Sequence, residues 1–127
     1  CLAGDTKDLN SKFDDVVGNG ACVQLYSFHG RGTLNGTLPH EPLYKLAKES
    51  ARKTGKNLQR FAALGILTDA SYIQLEGNGV ACLEMGFPAR YTHTPVEVCD
   101  MDDIDGLAVI CAEMMRSIDD HFQISRY

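Results

Sequence analysis

The feature that most constrains this chain is a helix-period stripe near its end. Ile104, Leu107, Ala108, Cys111, Met114 or Met115, and Ile118 recur at spacings of three and four, which lines one face of an α-helix with apolar side chains. Asp102 or Asp103 is placed to cap that helix. A second stripe runs through Leu43, Leu46, Ala47, Ser50 and Ala51. There Pro42 suits the first turn, Glu41 suits the positive end of the dipole, and Thr54-Gly55 closes the helix. Two such faces need an apolar partner. Ala21–Tyr26 and Val80–Met85 read as short buried strands, Leu58–Ala63 as a weakly alternating one, and Ala70–Glu76 as a short helix capped by Thr68 or Asp69. Strands alternating with helices predict an α/β fold, a mostly parallel mixed sheet flanked by helices.

Size and charge narrow the function. The 127 residues suffice for one domain with a sizeable core, and 44% apolar with 23% charged residues is globular usage. Twelve Lys+Arg against seventeen Asp+Glu give a net charge of −5, which argues against a nucleic-acid partner. No apolar run nears the roughly 20 residues a membrane span needs, and no secretory leader pattern opens the sequence. Five scattered cysteines, an odd number, read as reduced thiols and point to a cytoplasmic protein. Residues 4–20 and the glycine-bearing loop from His29 to Gly36 are turn-forming, and loops are where binding groups tend to sit.

Four histidines are candidates for chemistry. His29 and His40 lie in or beside loops, and His121 follows the last helix. His93 stands beyond a buried strand, a glycine and a proline, where a sheet crevice is expected at the carboxyl ends of strands. Two readings of it are open: a loop histidine bonded to backbone, or a neutral imidazole free to bind metal or act as a base. Glu84, inside an apolar run, needs either a polar partner, a wet cleft or an outward position. Asp69 is ambiguous between helix cap and site residue. Glu97, Asp100, Asp102 and Asp103 read as a solvated, dipole-compatible run. A nucleophilic pairing of Cys82 or Cys99 with His93 is weak, because both cysteines sit in apolar patterns. These residues alone do not specify a metal site.

Thr68-Asp69-Ala70, then Glu76-Gly77-Asn78-Gly79-Val80-Ala81, then Gly86 through Val98 resemble the C-terminal part of the TET-type dinuclear metallo-aminopeptidases. That group includes glutamyl and deblocking aminopeptidases, some formerly labelled endoglucanases. Pro88-Ala89-Arg90-Tyr91-Thr92-His93 is the most specific stretch, and Ala3–Thr6, Val17–Gly20 and the final helix are similar in order.

The resemblance implies that His93 is a metal ligand and that Thr68, Asp69 and Arg90 border the substrate pocket, with no catalytic residue in this segment. It implies two divalent ions, zinc or cobalt, in the complete enzyme, peptide substrates, and a homo-oligomer. It makes residues 1–127 the C-terminal segment of one catalytic domain. The N-terminal half, the other ligands, the catalytic Glu and an inserted β-barrel domain have no counterpart here, so the isolated chain is expected to be inactive. Ile66-Leu67 depart from the family, which has glycines there. The alternative is a self-standing, non-catalytic α/β module.

Overall fold

A computed structural model describes residues 15–28 and 36–125, with Ala63 and Leu64 described by backbone only. The turn-forming residues 4–14, His29 and most of the loop after it lie outside the described residues.

Eight elements follow in order: β1 Ala21–Phe28, α1 Glu41–Thr54, β2 Leu58–Leu64, α2 Ala70–Ile73, β3 Met85–Gly86, β4 Ala89–Arg90, β5 Val98–Cys99 and α3 Met101–Ser117. β1 is central in a three-stranded sheet of order β2-β1-β3. It runs parallel to β2, from Ala21 opposite Leu58 to Phe28 opposite Leu64, with a shift between Gln24 and Tyr26. It runs antiparallel to β3, with Cys22 opposite Gly86. β4 and β5 form a separate antiparallel pair. The mixed sheet with packed helices is the α/β architecture expected.

α1 follows from its sequence signals. Pro42 sits in the first turn, and Gly55 closes the helix at φ 67°, the left-handed conformation glycine adopts at least cost. Ala47, Ser50 and Ala51 are buried. The core joins Ala21 with Ala47, Ala51, Ile110 and Met114, and Leu46, Leu58, Leu83, Met85 and Leu107 pack around it. The two helices thus meet through one apolar cluster beside the start of β1.

Three expectations are corrected. Val80–Met85 is not a buried strand: only Met85–Gly86 pairs, and Val80 is exposed. The reason is a change of neighbour along β1. The Gln24 N–H donates to Glu84 O at 2.9 Å, but the Ser27 N–H donates to Thr37 O at 3.2 Å. The segment after Gly36 takes the ladder position that residues 80–83 would need, and the His40 N–H in turn donates to Cys82 O at 2.8 Å.

The second correction concerns the inward face of α3, which is Asp103, Gly106, Ile110 and Met114. Ala108, Met115 and Ile118 are exposed. Gly106 packs beside the Lys56 stem, where an added Cβ would make only an ordinary contact at 3.8 Å from Lys56 Cδ, and Asp103 is drawn inward by backbone donors described below. Third, the cap of α3 is Asp100, whose Oδ1 accepts from the Asp102 N–H at 2.8 Å.

Among the described residues, four cysteines are free thiols. Burial first, then the charges of Asp15 and Asp103, push the Cys22 thiol up to about 12, which leaves it protonated and inert at neutral pH. No helix among the described residues is long and apolar enough to cross a membrane.

Candidate functional site

His93 lies on the turn that joins β4 to β5. Tyr91 and His93 both adopt positive φ, 57° and 64°, a left-handed conformation costing a side-chain-bearing residue about 1 kcal/mol or more. Local bonds hold it. The His93 N–H donates to Glu97 Oε1 at 2.6 Å. Thr94 Oγ1 lies 2.6 Å from Tyr91 O and 3.0 Å from Val96 O. The backbone is therefore fastened while the imidazole stands exposed. Strain of this kind collects at functional positions, so the outlier supports a role for the turn.

The sheet topology corrects the expected position of this histidine. His93 does follow the carboxyl end of β3, but β3 is antiparallel to β1 and meets it at Cys22. The chain therefore leaves the sheet at the amino end of β1. Thr68 and Asp69 leave it beyond the carboxyl end of β2, the strand parallel to β1.

Thr68 and Glu84 meet in a cleft of about 320 Å³ whose apolar walls include Phe61, Ile66, Leu83 and Met85. Glu84 accepts from Thr68 Oγ1 at one oxygen and from Gln24 Nε2 at the other. Burial pushes its carboxyl above the ordinary range, against an opposing hydrogen bond from Thr37. Polar partners and a cleft were two of the requirements Glu84 posed from sequence. Asp69, Arg90 and His93 do not line this cleft. Asp69 occupies the cap position of α2 but has helical φ and ψ and no side-chain cap bond, so its reading as a cap fails. Arg90 is half-buried on β4, opposite Val98.

A prediction attaches to Glu84. Its raised pKa means the folded state holds a proton more firmly than the unfolded chain, so stability falls as pH rises through that interval. In Glu84→Gln the new amide can accept from Gln24 and donate to the Thr68 hydroxyl. The variant should match the wild type near pH 4 and exceed it by about 0.5 kcal/mol at pH 7, a small gain because the group is half solvated. Thermal melts at both pH values check this.

Asp103 was misread from sequence as solvated. It is 1% exposed, and its two oxygens accept the N–H groups of Gly18 at 2.7 Å and Gly20 at 2.6 Å. The available signal was the Gly-Asn-Gly turn before a strand, a natural source of free backbone donors. His40 is buried, with Nε2 3.2 Å from Ser125 O. Among the described residues, no group of three His, Cys, Asp or Glu side chains converges where a metal could be held. The fit is therefore partial: His93 can offer one donor, and a complete ligand set needs others.

A family model for the M42 glutamyl aminopeptidases matches residues 1–110. The chain belongs to that family. SgcX of Escherichia coli (strain K12), a protein named as an aminopeptidase, is 34% identical over 100 residues, 79% of this chain and 27% of SgcX. Aminopeptidase APDkam598 from the archaeon Desulfurococcus kamchatkensis superposes with a TM-score of 0.76 at 28% identity, over 91% of this chain and 31% of that one. The TET aminopeptidase from the marine sediment archaeon Thaumarchaeota archaeon SCGC AB-539-E09 gives a TM-score of 0.79 at 20% identity, over 95% of this chain and 32% of that one, a likeness of fold. This M42 chain spans less than a third of the length of each of these relatives.

Proposed function

We propose that residues 1–127 form the C-terminal segment of the catalytic domain of a metal-dependent aminopeptidase, which removes N-terminal residues from peptides. The observation that carries the reading is the M42 match over residues 1–110, which includes the strained turn bearing His93. In the complete enzyme a pair of divalent ions, zinc or cobalt, supplies Lewis acidity and an activated water at the scissile carbonyl. His93 contributes one neutral imidazole donor to that set, and the bond from its N–H to Glu97 fixes the main chain from which the ring projects. The remaining ligands and the proton-shuttling Glu come from polypeptide outside this chain. Thr68, Asp69 and Arg90 border the substrate, Thr68 through the Glu84 cleft. The complete protein works in the cytoplasm as a homo-oligomer, a reading supported by its free thiols and by the family resemblance.

The isolated chain should show no turnover of aminoacyl chromogenic substrates with zinc or cobalt added. In the complete protein, His93→Ala should lower metal content and reduce kcat/KM by about 100-fold or more, beyond what losing a mere supporting partner of a ligand costs. Unchanged metal content and activity in that variant overturn the ligand role. Robust turnover by the isolated chain overturns the segment reading.

A further inference from the structure

Glu84 combines two features that the reaction above does not use. Its carboxylate sits in an apolar cleft, and among the described residues no cation pairs with it. Ion pairs among the described residues, such as Glu41 with Lys45, Glu113 with Lys53 and Asp105 with Lys56, lie elsewhere. The partners of Glu84 are all neutral: Gln24 and Thr68 each engage one oxygen, and Thr37 adds a third hydrogen bond. A carboxylate has about four lone-pair sites, so one acceptor direction remains for a further donor. Gln24 is itself 4% exposed, so the carboxylate is held by a buried group and cannot swing freely into solvent.

We propose that this cleft is a subsite for an alkylammonium group, with the methylene stem against Phe61, Ile66, Leu83 and Met85 and the cationic head on Glu84. The walls match a stem of several carbons, and a space of about 320 Å³ exceeds what one side chain needs. An ammonium fits better than a guanidinium. The planar fork of a guanidinium seeks both carboxylate oxygens side by side, whereas an ammonium needs one free acceptor direction. Ile66 supplies part of the apolar wall. A lysine side chain of a peptide is the ligand to which the cleft is assigned. That choice rests on the aminopeptidase reading, whereas the affinity for an alkylammonium head does not.

The test is a binding titration of the 127-residue chain, followed by NMR. The probes are n-butylammonium, 1-butanol, n-butylguanidinium and Nα-acetyl-lysinamide. The expected result is saturable shifts at Glu84 and Leu83 with n-butylammonium, none with 1-butanol, and weaker binding of n-butylguanidinium. Glu84→Gln should weaken n-butylammonium binding about tenfold, the worth of one charge-assisted hydrogen bond. Equal responses to n-butylammonium and 1-butanol overturn the site, and so does unchanged affinity in Glu84→Gln. The alcohol comparison decides in wild-type protein if the variant fails to fold. Nα-acetyl-lysinamide should bind at least as tightly as n-butylammonium, and weaker binding overturns assignment to a peptide. No arm needs turnover or metal, so these outcomes are separable from failure of the aminopeptidase reading.

Discussion

Replacing Asp103 with Ala should destabilise the chain by about 3 kcal/mol, a fall in Tm of roughly 10–15 °C. The carboxylate is 1% exposed and accepts two short backbone bonds, from Gly18 and Gly20. Hydrogen bonds to a charged acceptor contribute about 1.5–3 kcal/mol each, and truncation leaves both donors seeking water in a half-closed space. Position matters too. Asp103 lies in the first turn of α3, where the helix dipole favours a negative charge, so removing it weakens the helix start as well as the turn. Asp103→Asn should fall between, at about 2 kcal/mol, because one amide oxygen still accepts while the amide nitrogen faces the second N–H. Asp102→Ala, on the exposed side of the same turn, should stay within about 0.5 kcal/mol of wild type. Urea denaturation of all three variants checks the order. Hydrogen exchange at Gly18 and Gly20 locates the loss, and equal stabilities for Asp103→Ala and Asp102→Ala refute the account.

The contrast between these neighbouring aspartates shows what was legible in the sequence. Helices α1 and α3 were readable because their stripes, Pro42 and Gly55 are local signals, and β1 because a short run of β-compatible residues lies between turns. Val80–Met85 carries the same local signal as β1 but does not form the same structure. Whether it pairs depends on the segment after Gly36, which takes the place beside Ser27, and no local pattern reports that competition. Asp103 was misread for a related reason. A run of acids before a helix is solvated unless donors from elsewhere meet it, and here they arrive from residues more than 80 positions away. Glu84 was more legible, since a charge inside an apolar run poses the question its partners answer. The turn at Tyr91 and His93 was not, because positive φ is uncommon for any residue bearing a side chain, histidine's modest enrichment included. His93 became a ligand candidate through its motif, and the local geometry adds the fastened, strained backbone.

Gly20→Ala should cost about 3 kcal/mol or more, since steric overlap adds to backbone strain. Gly20 has φ 102°, a conformation in which an L side chain is strained. A Cβ added there would stand 2.5 Å from Asn57 O and 2.8 Å from Asn57 Cβ. Those atoms belong to the residue just before β2, so they cannot swing aside as a long side chain would. Movement must come from the backbone that sets Ala21 opposite Leu58, the first pair of the parallel ladder. The same shift would disturb the Gly20 N–H bond to Asp103 and the Gly20 carbonyl's bond from Gln59 Nε2, 2.8 Å long. Gly55→Ala separates strain from crowding. Gly55 also has positive φ, 67°, but a Cβ there meets nothing within 4 Å, so its loss should be limited to about 1 kcal/mol. Denaturation midpoints for the two variants, measured side by side, give the contribution of close approach at Gly20 by difference. Equal losses would mean that the contact with Asn57 relaxes freely and does not hold the β1–β2 register.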